Sequence, residues 1–204
     1  ILNSVPADWI DSSFLQVLTL CEDTEDQKKF LDITKKWGDT RSSLAATQPL
    51  PKLQSTSRNN QEIRIGFISA DFRDHSVARF IWPLFKYLNQ KEFPLFCYST
   101  YYQKDHWRLR FENTAAAIRD IGGYSPQQVC EVIRNDEIDI LFELTGFTNG
   151  SRLSSLAWRA APIQVSWLGF PGTTGLSEVD YLFLDKYLKP EKNELIHEKQ
   201  LLTN

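Results

Sequence analysis

The sequence predicts an α/β fold, a Rossmann-like and mostly parallel sheet preceded by a short helical segment. Three observations carry this. Short apolar runs rich in β-branched and aromatic residues recur at 63–68, 93–100, 118–121, 138–144, 163–168 and 181–184. Amphipathic stretches of helical spacing lie between most of them, the alternation that βαβ units require. Polar or Gly-rich loops follow several runs, at 71–75, 100–104, 145–150 and 169–175. Open parallel sheets bind ligands at the carboxyl ends of their strands, so these loops outline a cleft.

Residues 1–50 read as the helical segment. Trp9, Ile10, Phe14, Leu15, Val17 and Leu18 share one helical face. A second helix opens at Thr24-Glu25-Asp26, where acidic residues suit an N-terminus, and runs through Phe30, Leu31, Ile33 and Trp37 until Gly38 stops it. The Ser-, Gln- and Asn-rich stretch 51–61 reads as a linker. The main domain, 62–204, opens with the strand Ile63, Ile65, Phe67 and Ile68. Ser76 is positioned to cap a helix over 77–88, whose apolar face uses Val77, Phe80, Ile81, Leu84, Phe85 and Leu88. A strand at 93–100, a helix at 107–117 and a short strand at 118–121 follow. Pro126 stands in the first turn of a helix ending at Asn135. A strand over 138–144, a helix over 150–160, the strand 163–168 and a final strand over 181–184 complete the order.

The run PIQVSWLGFPGTTG at 162–175 is the centre of the pattern. Its buried strand breaks into Gly169, Pro171, Gly172 and Gly175, where backbone N–H groups can approach a ligand closely. A tight connecting loop is the structural alternative.

With 204 residues, 42% apolar and 24% charged, the chain has the composition of an ordinary globular protein. Its net charge of -3 leaves no basic footprint for nucleic acid or an anionic membrane surface, and no apolar run is long enough to span a bilayer. Cys21, Cys97 and Cys130 are far apart and form no Cys-x-x-Cys pair. No disulfide framework or metal site is expected, and a reducing cytoplasm fits. With no methionine in the chain and no closing helix or tail at Leu201-Leu202-Thr203-Asn204, a fragment at both ends is the expectation.

His75 is the sharpest candidate for chemistry. It lies between the first strand and the first helix of the domain, where a helix N-terminus favours the neutral, basic imidazole. A capping or surface histidine is the structural alternative. Asp71 is placed to orient it or to cap the helix. Thr145, Thr148, Asn149 and Arg152 follow a buried strand, and either bind a polar ligand or serve the turns at Gly146 and Gly150. His106 and His197 read as surface residues, and Glu143 as paired or at the sheet margin. No phosphate loop, dinucleotide fingerprint or nucleophile elbow is present.

The order RIGFISADFRDH at 64–75, GFTNGSR at 146–152, APIQVSWLGFPGTTG at 161–175 and VDY at 179–181 resembles the catalytic region of the O-linked N-acetylglucosamine transferase family. The bacterial members with upstream tetratricopeptide repeats are the most similar. The match runs from about residue 62 to the end, and 14–38 resembles the segment preceding the catalytic lobe. The resemblance implies the first lobe of a GT-B architecture, with a second lobe holding most of the nucleotide. It implies inverting, metal-independent transfer of N-acetylglucosamine from a UDP-sugar to Ser or Thr hydroxyls of a protein or peptide acceptor, with no further cofactor; some relatives modify Asn. His75 matches the family's D-F-x-x-H histidine, a base or acceptor-aligning group, with Asp71 beside it. Pro171, Gly172, Thr173 and Thr174 match the loop near sugar and diphosphate, and Thr148 and Arg152 belong to the preceding motif.

Two departures bear on specificity. Phe147 stands where the family has His or Tyr, and Ala116 and Ala117 replace the Asn-His of the animal enzymes. A non-catalytic lobe that binds protein or sugar is the alternative to an enzyme.

Overall fold

In the computed structural model, residues 24–53, 62–187 and 198–203 are described. The face expected at 9–18, Cys21, His197 and residues 54–61 lie outside them. Strands β1 (Ile65–Ser69), β2 (Leu95–Ser99), β3 (Ala117–Asp120), β4 (Ile140–Glu143), β5 (Ile163–Trp167), β6 (Tyr181–Asp185) and β7 (Lys199–Thr203) form one sheet in the order β3-β2-β1-β4-β5-β6-β7. Every pairing is parallel, so all seven strands end at the same edge. The expectation of an α/β, Rossmann-like sheet is met.

The central register places Phe67 between Cys97 and Phe142, with the Phe67 and Phe142 rings stacked 5.4 Å apart. β1 and β2 are covered on both faces, which is why they read as nearly continuous apolar runs. On one face, α2 (Ser76–Tyr87) and α3 (His106–Thr114) bury Ile81, Phe85 and Phe111 against Phe67, Leu95 and Cys97. On the other, α1 (Thr24–Thr47), α4 (Pro126–Asn135) and a 3₁₀ helix (Leu153–Trp158) enclose Ile68, Tyr98, Leu141, Leu156 and Leu176. Two apolar layers on a central sheet are the standard solution for βαβ units. The chain runs outward from β1 to β3 and then resumes at β4 on β1's other side. The crevice for a ligand therefore opens between the ends of β1 and β4.

Local signals explain most boundaries. Pro94 shortens the second strand to Leu95–Ser99. Ser125 and Gln128 cap α4 reciprocally, with Pro126 at its first turn.

Four expectations are corrected. Gly38 does not end α1, which continues to Thr47. A Cβ at Gly38 would stand 1.8 Å from the carbonyl oxygen of Gly175, so this glycine allows a close backbone approach. Reciprocally, Gly175 (φ +71°) has Thr34 O at 2.1 Å from its Cβ position. The expected α-helix over 150–160 is the six-residue 3₁₀ helix, closed by Arg159 in the left-handed region at φ 56°. α2 is capped by His75 instead of Ser76. Finally, β7 was not expected: KQLLT is short, polar at its start and paired on one side only.

α1 is joined to the sheet at several points. Trp37 meets Phe147 edge-on at 5.0 Å, Ser42 donates to Glu178 at 2.8 Å, and Trp158 Nε1 donates to Gln48 O at 2.9 Å. Arg134 also donates to Pro51 O, so the chain just after α1 is held as well.

Candidate active site

The loop after β1 carries the imidazole. Ser69 Oγ accepts the Asp71 N–H at 3.0 Å and turns the chain out of the strand. Asp71 Oδ1 then accepts from Arg73 at 3.0 Å, and its Oδ2 lies 3.5 Å from His75 Nδ1. His75 Nδ1 accepts the Val77 N–H at 3.3 Å, which is the N-cap of α2. Its side chain is 38% exposed, so part of the ring remains open to solvent.

This geometry defines two neutral forms. While Nδ1 accepts the cap bond, the proton sits on Nε2 and the ring is a hydrogen-bond donor. If Nδ1 is protonated and faces Asp71, Nε2 has a free lone pair and the ring is a base. Asp71 is placed to select the second form, with Arg73 fixing the carboxylate.

The loop after β2 lies beside the first. Asp105 caps α3 by accepting the Arg108 N–H through Oδ1 at 2.8 Å. Its Oδ2 accepts the Asp74 N–H at 2.7 Å, directly before His75. Burial pushes the Asp105 carboxyl upward, but the N–H donors of Arg108, Asp74 and Trp107 outweigh this and hold it below the usual carboxylate range. The Arg73 guanidinium lies 5.6 Å from the Tyr101 ring and the Arg108 guanidinium 4.9 Å from Tyr102.

The loop after β4 is organised from within. Glu143 is neither at the margin nor paired with a cation: it is buried on a central strand and accepts from the amides of Thr145 at 2.9 Å and Gly146 at 2.7 Å. Burial raises its carboxyl to about 7, against the opposing pull of those bonds. Thr148 Oγ1 donates to Thr145 O at 2.8 Å, a turn bond. Arg152 donates to Ser151 O at 3.1 Å and to Gly122 O, tying this loop to the one after β3. Asn149 is exposed. Phe147 lies in the core against Trp37 and Phe170, so its apolar ring joins the loop to α1.

The Gly-rich loop leaves β5 through Leu168, in the left-handed region at φ 74°. Pro171 is exposed and Gly172 half-buried, whereas Thr173 and Thr174 are buried. Thr173 Oγ1 and the Thr174 N–H each donate to Glu198 at 2.7 Å, and Thr174 Oγ1 donates to the same carboxylate. The threonine hydroxyls thus hold the loop to the start of β7, and the part turned outward is Pro171-Gly172. Nothing in the residue pattern pointed to Glu198, which lies 24 positions after Thr174. Asp105 was readable as a cap from its place three before Arg108, but its second partner was not.

The edge thus brings together Asp71, His75, Thr148 and Arg152 on the loops of β1 and β4, the crevice-forming pair. Ala117 opens β3 and pairs with Phe96, which puts Ala116 and Ala117 at the opposite end of the strand from these loops. Among the described residues no cluster of His, Cys, Asp or Glu is arranged to hold a metal, and no helix is long and apolar enough to cross a membrane.

The family model of glycosyl transferase family 41 matches residues 12–201. The chain belongs to glycosyl transferase family 41. Among its relatives, the probable UDP-N-acetylglucosamine–peptide N-acetylglucosaminyltransferase SEC of Arabidopsis thaliana is 31% identical over 180 residues, covering 84% of this chain and 18% of that protein. The enzyme of the same activity from Caenorhabditis elegans is 31% identical over 135 residues, covering 65% of this chain and 12% of that protein. The solved structure of a mutant O-GlcNAc transferase from Thermobaculum terrenum superposes with a TM-score of 0.82 at 27% identity, covering 94% of this chain and 36% of that one. The chain therefore spans less than a fifth of these curated relatives. In this family 41 chain the loops after β1 and β4 lie at the carboxyl edge of the sheet, whereas the loop after β5 runs from that edge to Glu198 at the amino end of β7.

Proposed function

We propose that this chain is the N-terminal lobe of the catalytic unit of a cytoplasmic, UDP-sugar-dependent protein glycosyltransferase. The unit transfers N-acetylglucosamine to Ser or Thr hydroxyls, with inversion and without a metal ion. A second lobe of the full-length chain completes the nucleotide site. One observation carries the reading: in a family 41 chain, His75 stands beside Asp71 at the crevice between β1 and β4. Relatives named as UDP-N-acetylglucosamine–peptide N-acetylglucosaminyltransferases support the sugar and the acceptor.

The acceptor oxygen attacks the anomeric carbon, the bond from that carbon to the diphosphate oxygen breaks, and UDP leaves with the electron pair. His75 in its Asp71-facing form takes or aligns the hydroxyl proton. The backbone around Gly172 approaches the diphosphate, and positioning supplies much of the rate.

The test is UDP release from a panel of UDP-sugars by the full-length protein with peptide acceptors. We expect sugar-dependent release that falls at least about tenfold in His75→Ala, a loss of roughly 1.4 kcal/mol of transition-state stabilisation. Release unaffected by the substitution keeps the transferase and removes His75 from the step. A second reading, a binding lobe without catalysis, draws on the commitment of His75 Nδ1 to the cap and of Thr173 and Thr174 to Glu198. No release from any sugar by the folded protein would favour it.

A further inference from the structure

His75 is fixed from its C-terminal side by its own cap bond to Val77. On its N-terminal side the chain is Asp74, whose side chain pairs with Arg79 on the solvent face of α2 and whose N–H leaves the loop altogether, to reach Asp105 on the neighbouring loop. Asp105 divides its two oxygens between the first turn of α3 and the entry to α2. One carboxylate therefore sets where the amino ends of two adjacent helices stand relative to each other. Those helices are packed by Trp82, Phe85, Trp107 and Phe111, whose rings meet edge-on at 4.9 to 6.0 Å. Apolar packing of this kind fixes the helix bodies while leaving their entry turns to polar bonds.

We propose that Asp105 is a positioning residue for His75, acting through the Asp74 N–H to hold the imidazole over the crevice. The proposal rests on the transferase reading given above. Asp105 touches neither the ring nor the crevice between β1 and β4. Its effect is on the placement of the turn 71–75, and so on the distance and angle at which Nε2 meets the acceptor hydroxyl.

Serine separates the two duties of this carboxylate. Asp105→Ser keeps a good N-cap for α3, but its single short hydroxyl cannot also reach the Asp74 N–H. In the full-length protein we expect Asp105→Ser to retain the melting temperature to within about 2 °C, because the cap is preserved, and to lower kcat at least about fivefold with little change in the KM for the UDP-sugar. In a His75→Ala background the same change should cost nothing further, since residues that act through one another do not add. A wild-type rate in Asp105→Ser, or equal losses in both backgrounds, overturns the proposal. Hydrogen exchange at the Val77 amide gives a readout free of activity. Faster exchange in Asp105→Ser supports the proposal, because the turn that lets His75 Nδ1 accept the Val77 N–H in the resting form has loosened, and unchanged exchange overturns it. If the wild-type protein releases no UDP at all, the transferase reading fails and the exchange result alone decides the placement.

Discussion

Glu143 is the residue whose environment departs furthest from its chemistry. It lies buried on a central strand, its oxygens accept the backbone N–H groups of Thr145 and Gly146, and among the described residues no cation pairs with it. With its carboxyl raised to about 7, the folded chain keeps a proton that the unfolded chain, titrating near 4.3, has already lost. Stability is therefore highest below the unfolded value and falls as pH rises through about 7, by an amount on the order of 3 kcal/mol. Glu143→Gln removes the charge, but its amide nitrogen cannot accept one of the two N–H groups that the carboxyl oxygens take. Thermal unfolding should show it lowering the melting temperature less at pH 8 than at pH 5; equal effects at both would mean that the amides of Thr145 and Gly146 fully stabilise the carboxylate. His75 teaches a related lesson. Its place before a helix was readable from the sequence, and a capping ring stood there as the structural alternative; the choice between it and Ser76, the commoner capping group, was not readable.

Elements were legible where burial wrote a pattern into the chain. Ile65, Phe67 and Ile68 announce β1 because both faces of that strand are covered. The spacing of Val77, Ile81 and Phe85 announces α2 because one stripe meets the sheet. Where a partner distant in sequence decides the outcome, the pattern fails. Gly38 looks like a helix stop, yet it is kept by a loop 137 positions later (175 − 38). Alanine would suit a helix interior better by about 1 kcal/mol. Gly38→Ala should nevertheless destabilise by about 2 kcal/mol or more, because its methyl would overlap the backbone of Gly175. A urea midpoint that rises with the substitution would show that α1 shifts away freely. The short strand Lys199–Thr203 was illegible for the opposite reason: at the edge of the sheet it needs no apolar alternation to be accepted.

The whole fold is closed by contacts between segments far apart in the chain. Glu198, at the threshold of the last strand, receives both threonine hydroxyls of the Gly-rich loop. Replacing it with alanine would leave these buried groups without their acceptor, at a cost of about 2–4 kcal/mol. We expect a lower denaturant midpoint with an unchanged slope for Glu198→Ala; an unaltered midpoint would mean that water satisfies the threonines. The architecture, and with it the loops that gather at the carboxyl edge beside β1 and β4, could be read from strand order and loop composition. That both threonines of the Gly-rich loop turn inward could not, since that depends on a carboxylate reached only after β6. The backbone contact of Gly38 with Gly175 also has an evolutionary reading. A crossover between homologous genes anywhere between those codons would assemble the two sides of one joint from different parents. Chimaeras that exchange the helical segment alone will fold only if both parents lack a side chain at both positions, so the helix and the loop it touches are inherited as a single unit.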